Sequence, residues 1–279
     1  MHTSVEADLH DWDDDHARPE GKPGKLWRKV VAIIGSLVVV AAVFVLFLPK
    51  IASYNEVWDT ISDMTPLVQQ TDRHMRDLVI AAIGLVVLLV CCVFARHPRV
   101  TGFEADVFHA INDLPDWLNA PLWPFQQFGN LLVGPLVALI AWLLHHRRLA
   151  IAALTATVLK LVTERIVKVF IDRQRPGTSI GNDVILRGDV HAEGQSFVSG
   201  HAIMVFAIAA MVSPYLSRPW KITLWVLAAI VLLARVYVGA HNPLDVIGGA
   251  GLGLAIGSVL KFAFALGSTD RAVREPQPH

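Results

Sequence analysis

Two stretches of this chain, Val30–Leu48 and Leu78–Ala95, contain no charged residue, and each is long enough to cross the hydrocarbon core of a bilayer. That feature limits the fold more than any other, because runs of this kind predict membrane-spanning helices. The composition agrees: 54% of the residues are hydrophobic, 17% are charged and mean hydropathy is +0.49, more apolar than a soluble domain. The formal net charge is zero, so no global charge argues for a nucleic-acid partner. Cys91 and Cys92 are neighbours inside an apolar run; they cannot easily bridge and carry no redox information.

The pattern divides the chain into four parts. Residues 1–26 are polar and acidic early, a composition that predicts disorder. Residues 27–77 hold an N-terminal transmembrane helix and a polar connector. Arg28 and Lys29 precede Val30–Leu48, and no small-residue cleavage site follows cleanly, so an uncleaved helix is expected rather than a signal peptide. Residues 78–266 form the main domain, and 267–279 a polar tail. Within the domain six spans are predicted: Leu78–Ala95, Leu131–Leu144, Leu149–Ile171, Ala202–Leu216, Ile222–Tyr237 and Pro243–Phe264. Phe103, Val107, Ile111 and Leu114 recur at helical spacing beside Trp117 and Trp123, which predicts an amphipathic helix in the interface. Gly248, Gly249, Gly251, Gly253 and Gly257 suit close helix packing rather than a nucleotide loop. The fold class is all-α: a six-span helical bundle with one extra N-terminal apolar helix.

Basic residues assign the sides. The loops at 145–148 and 217–221 and the tail after Lys261 fall at one face, which their Lys and Arg mark as cytoplasmic. The opposite face carries 168–201 and 235–245. An inside C-terminus and seven spans put the N-terminus outside, against the charge of Lys22, Lys25, Arg28 and Lys29, so either that rule fails there or one N-terminal run does not cross.

Three polar clusters lie at this same opposite face. Lys168 and Arg175 lie about two turns apart and share a face if the helix continues. Ser199, Gly200 and His201 open an apolar helix, whose free N–H groups favour an anion. Arg235, His241 and Asp245 form the third, the last two being i,i+4 neighbours if helical. Taken singly, each has a structural explanation: Asp245 in a helix cap, Lys168 and Arg175 snorkelling to headgroups, His201 satisfied in a core, Arg235 ending a span. Together they make a phosphate cradle of Lys168, Arg175, Arg235 and a helix N-terminus, with two histidines able to serve as nucleophile and acid. Asp245 can hold one ring in its tautomer. Fixed cations supply the charge, so no metal and no cofactor is expected.

These residues resemble the type 2 phosphatidic acid phosphatase superfamily, which carries K-x6-R-P, P-S-G-H and S-R-x5-H-x3-D. Lys168, Arg175 and Pro176 complete the first block. Val198 replaces proline in the second, and Ala234 replaces serine in the third. The resemblance covers about 78–265, and "LPDWLNAPLWPFQQFG" and "DVILRG" are similar to actinobacterial versions. Leu48–Trp58 also resembles the start of the flippase-like domain of lysylphosphatidylglycerol synthases. The superfamily resemblance implies His241 as nucleophile, Asp245 orienting it, and His201 protonating the leaving lipid oxygen and then activating water. It implies phosphate-binding roles for Lys168, Arg175, Arg235, Ser199 and Gly200. Loss of the Ala234 hydroxyl is expected to affect rate, and loss of the proline at Val198 to be tolerated.

The expected function is a multi-pass cell-membrane lipid phosphatase with an extracytoplasmic site. Its substrate is a phosphate or diphosphate monoester on a lipid, either polyprenyl or phosphatidic-acid-like, and its partners are that lipid and the bilayer. The alternatives are a phosphotransferase on the same scaffold and a non-catalytic lipid-binding or transport module. Oligomeric state is not readable. The loop at 172–197, with Asp189, His191 and Glu193, is either a headgroup contact or a solvated connection.

Overall fold

The computed structural model describes residues 66–267, apart from 98, 101 and 182. The predicted N-terminal disorder, the Val30–Leu48 helix, the Leu48–Trp58 resemblance and the tail from 268 lie outside the described residues. Among the described residues all regular structure is helical. In order come α1 (Pro66–Ala95), α2 (Phe103–Asn112), a 3-10 turn (Asp116–Leu118), α3 (Asn119–Gln127), α4 (Val133–Leu143), α5 (Arg147–Phe170), α6 (Pro176–Ser179), α7 (Gly200–Val212), a second 3-10 turn (Ser213–Tyr215), α8 (Arg218–Tyr237) and α9 (Pro243–Ala263).

Each of the six predicted spans is a helix. Three are long and apolar enough to cross a membrane on those grounds alone: Met75–Ala95 within α1, α8 and α9. α4 and α7 are shorter apolar helices. α5 is long, but Lys160, Glu164, Arg165 and Lys168 lie in its second half. Outward faces are apolar where lipid would lie: Val79, Ile83, Val86, Val90 and Val93 on α1, and Val158, Leu161, Val162 and Ile166 on α5, are exposed. Scattered apolar side chains are normal on any surface, but continuous stripes of them need a partner, here the bilayer.

The last part of the stretch read as a polar connector to residue 77 is helical, since α1 begins at Pro66. Polarity marks where lipid contact starts, whereas Gln69, Gln70, Arg73 and Met75 are good helix formers, and Pro66 is tolerated in a first turn. In α2, Phe103 is 82% exposed, and the face turned inward is that of Phe108 and Asn112. The Asn112 side chain explains this: its amide donates to the carbonyls of Ile185 (2.9 Å) and Tyr237 (2.9 Å), so a polar residue takes the inner position.

α7 is the core. Ala202, Ile203, Met204, Ala207, Ala209 and Met211 are all buried on different sides of it. α9 packs against α7 on one side and against α1 on the other, through glycine. A Cβ on Gly253 would lie 2.3 Å from the Ile203 carbonyl oxygen, and one on Gly84 would lie 2.5 Å from that of Gly251. α1 and α9 run antiparallel: Lys261 pairs with Asp77 at 2.6 Å near one end, and Gly248 meets Cys91 near the other. Gly253→Val therefore drives a branched side chain into backbone that cannot yield. It is expected to cost about 3 kcal/mol or more, read as a lower unfolding temperature of the detergent-purified protein.

The predicted sidedness corresponds to two physical ends. His146 packs at a tilt against Tyr215 with ring centres 4.9 Å apart, and Gly267 abuts Pro214. Those contacts gather 145–148, 213–221 and Lys261 at one end. The C-termini of α5 and α8 and the N-termini of α7 and α9 meet at the other.

Candidate active site

α5 brings Lys160, Glu164 and Lys168 along one face at four-residue steps. Glu164 sits between the lysines, its Oε2 2.7 Å from Lys160 Nζ and its Oε1 2.6 Å from Lys168 Nζ. This charged face meets the N-terminus of α7. A Cβ on Gly200 would lie 2.5 Å from Glu164 Oε2 and 2.8 Å from Lys160 Nζ, so only glycine lets the two helices approach there.

Arg175 does not extend the Lys168 face. The helix stops at Phe170, and Ile171 is extended (φ −125°, ψ 94°). Pro176 disfavours a helical residue before it, and Arg175 is itself extended (φ −64°, ψ 160°), capping the short α6. Arg175 reaches the site through a loop: its N–H donates to Gly194 O at 3.0 Å, and Gln174 bridges Gln195. The segment predicted as a polar loop, 172–197, thus contains one short helix and one bridge. Asp189, His191 and Glu193 are exposed on it.

Ser199 stands just before α7. Its N–H donates to the Asp245 carbonyl at 3.0 Å, while its buried hydroxyl finds no hydrogen-bond partner among the described residues. The peptide bond between Phe197 and Val198 is cis, and Val198 is fully buried. His201 lies in the first turn of α7, where Gly129 packs against it; a Cβ there would lie 2.6 Å from the histidine Cβ. Arg235, at the end of α8, donates from a terminal nitrogen to Gln126 Oε1 at 3.1 Å, and its buried Nε is unpartnered among the described residues. Arg235, His241, Lys160 and Arg175 all lie within electrostatic reach of His201. The predicted residues are therefore brought together at one end of the bundle, with Lys168 held by Glu164.

His241 lies ahead of α9 rather than within it, because the helix starts at Pro243 with Asn242 as its cap. The conditional i,i+4 helical pairing with Asp245 is therefore not what joins them. Asp245 reaches back to the cap instead, its Oδ2 accepting the Asn242 N–H at 2.7 Å. His241 Nδ1 is 3.8 Å from that oxygen and 3.3 Å from Ser196 Oγ, and the Ser196 hydroxyl donates to Asp245 Oδ2. Burial lowers the His241 pKa to about 4; Arg235 and Arg175 act in the same direction and Asp245 opposes them. The ring is neutral at pH 7, with a lone pair free for chemistry.

Three further residues belong to the site. Arg173 is 1% exposed, with one terminal nitrogen 3.6 Å from Asp245 Oδ1 and the other bonded to Glu104 Oε2. Glu104 Oε1 accepts the Leu244 N–H at 3.0 Å, pinning the start of α9. Ser196 is the third. Sequence reasoning passed over all three. Arg173 lies inside the first block, between Lys168 and Arg175, Ser196 lies two residues before the second, and Glu104 lies in the helix read only as amphipathic.

The chain is similar to known proteins. The profile of the PAP2 superfamily matches residues 148–265. An undecaprenyl-diphosphatase of Sulfolobus acidocaldarius is 30% identical over 158 residues, 54% of this chain and 74% of that protein. A putative undecaprenyl-diphosphatase of Escherichia coli is 31% identical over 156 residues, 53% of this chain and 76% of that one. The crystal structure of Aquifex aeolicus LpxE superposes with a TM-score of 0.53 at 25% identity, over 57% of this chain and 95% of that one.

Proposed function

The chain belongs to the PAP2 superfamily, and we propose that it is a membrane lipid phosphatase that removes phosphate from a lipid phosphate or diphosphate monoester through a phosphohistidine. The relatives named undecaprenyl-diphosphatase make a polyprenyl diphosphate the leading substrate class. One observation carries the mechanism: His241 is buried 3.3 Å from Ser196 Oγ and 3.8 Å from Asp245 Oδ2, with Arg235, Arg175 and His201 around it.

The His241 Nε2 lone pair attacks phosphorus as the bond to the lipid oxygen breaks, and His201 donates a proton to that oxygen. Water then attacks phosphorus, giving its proton to His201, and the N–P bond breaks to return the pair to Nε2. Arg175, Arg235 and Lys168 hold the phosphoryl oxygens with Ser199 and the Gly200 N–H; the unpartnered Ser199 hydroxyl and Arg235 Nε suit that role. Glu164 holds Lys168 until phosphate competes for it. The active site faces the extracytoplasmic side in this proposal, because the basic loops at 145–148 and 217–221 lie at the opposite end.

Phosphate release by the purified chain, without added metal, tests the function. The panel is phosphatidic acid, phosphatidylglycerol phosphate and polyprenyl mono- and diphosphates, with His241→Ala alongside. Release by the wild type and its loss in the variant supports the phosphatase; phosphate appearing only on an added alcohol points to transfer. No turnover of any kind by folded protein points to a binding role.

The pH profile is a second check. Protonating His241 fills the lone pair that attacks, so the acid limb of kcat/KM, which reports the free enzyme, is expected near pH 4 rather than near the 6.5 of an ordinary imidazole. Measuring it with a phosphate and a diphosphate substrate separates the enzyme's limb from the substrate's own ionisation. A substrate-independent limb near 6.5 contradicts a buried nucleophile.

A further inference from the structure

Asp245 does not touch His241. Their 3.8 Å separation is too long for a hydrogen bond, and Ser196 stands between them, 3.3 Å from Nδ1 and donating to Oδ2. Ser196 and Asp245 are fully buried and His241 nearly so. A serine hydroxyl has one proton, and an ionised carboxylate only accepts. With that proton turned to Asp245, the serine oxygen has only lone pairs left for the imidazole. His241 must then present Nδ1–H, which leaves its own lone pair on Nε2.

The surroundings hold this arrangement in place. Ser196 N–H donates to Arg173 O at 2.7 Å, next to the Gln174–Gln195 bridge. Asp245 Oδ2 is held from the other side by the Asn242 N–H at 2.7 Å. Backbone hydrogen bonds thus hold both Ser196 and the carboxylate that its hydroxyl donates to.

We propose that Ser196 is a positioning residue that sets the Nδ1–H tautomer of His241 and transmits the charge of Asp245 to the ring. The catalytic half of this rests on the phosphatase mechanism above. As the N–P bond forms on Nε2 and the lipid oxygen leaves with a proton from His201, the ring becomes a cation that keeps its Nδ1 proton. The Ser196 oxygen accepts from that N–H, and Asp245 polarises the hydroxyl further. When water breaks the N–P bond, the electron pair returns to Nε2. No proton has to cross to Asp245 at any stage.

The test compares wild type, Ser196→Ala, Ser196→Thr and His241→Ala as full chains in detergent, with histidine ring nitrogens labelled with ¹⁵N. Ser196→Ala is expected to lower kcat about 10–100-fold with KM within about twofold, and Ser196→Thr, which keeps a β-hydroxyl, to recover most of it. The His241 ring signals, assigned by their loss in His241→Ala, are expected to show Nδ1–H in wild type and in Ser196→Thr. In Ser196→Ala they are expected to show a mixed or Nε2–H tautomer. An unchanged kcat and tautomer in Ser196→Ala overturns the proposal. So does an equal loss of kcat in both serine variants with the tautomer unchanged, since that is the pattern of a structural residue. If wild type releases no phosphate from any lipid, the phosphatase reading fails, and the ring spectra still decide whether Ser196 sets the tautomer.

Discussion

The His241→Ala protein is expected to release lipid phosphate at most about one ten-thousandth as fast as wild type, because it lacks the atom that forms the covalent intermediate. The residue is buried, but its loss opens little of the core: it lies in the turn between α8 and α9, and the cap on α9 is made by Asn242 and Asp245. Folding should therefore survive. The variant should also bind substrate nearly as well as wild type, because Arg175, Arg235 and Lys168 are untouched. Rapid quenching with a ³²P-labelled lipid phosphate provides the check. Label is expected on wild-type protein, stable to base and lost in acid as a phosphoramidate is, and absent from the variant. Wild-type turnover with label on neither protein would replace the covalent route by direct attack of water.

Asp245→Asn is expected to lower kcat by about a thousandfold. Removing the carboxylate behind a catalytic histidine costs up to about 10⁴ when the wrong tautomer results. Here the amide oxygen can take the Oδ2 position, which already accepts two hydrogen bonds, from Asn242 N–H and from the Ser196 hydroxyl. The tautomer is then kept and the charge alone is lost, so a somewhat smaller effect is expected. The amide nitrogen falls on the Oδ1 side, facing an Arg173 nitrogen 3.6 Å away, and two donors then confront each other in a buried place. Breaking one partner of such a buried pair costs about 3–5 kcal/mol, so this variant should also unfold at lower temperature, unlike His241→Ala. The pH profile adds a sign. Asp245 raises the His241 pKa against burial and the arginines, so without its charge the acid limb moves below about 4. Wild-type kcat in Asp245→Asn would remove the carboxylate from the mechanism.

Much of this was readable from sequence for a physical reason. A hydrocarbon solvent forces long apolar helices, so Leu78–Ala95 and Pro243–Phe264 announce themselves, and α1 and α9 contain them nearly whole. Residues at the ends of successive spans alternate between two faces, which is enough to put Lys168, His201, Arg235 and His241 at one end. Beyond the spans the pattern gives little. Arg175 arrives through an extended turn that no periodicity encodes, and Ser196 is one more serine in a polar loop. Glu104 meets Arg173 across 69 residues of sequence, and only packed coordinates pair them. The supports around the histidine were hidden for that reason, while the charged residues proposed to hold phosphate were not.

The pairing of α1 with α9 bears on how the molecule is made. They are the outermost of the described helices in chain order, yet they lie glycine to glycine. At about 5–20 residues per second, a ribosome delivers the start of α9 roughly 7–30 s after the end of α1. Through that interval the Gly84 face and Asp77 wait without Gly251 and Lys261. The lysines of α5 and the imidazole of His201 are already in the membrane by then, but His241 and Asp245 enter only at the threshold of the last described helix. On the proposed mechanism a nascent chain therefore holds a cradle with no nucleophile, and cannot act on the lipid around it until synthesis has passed α9.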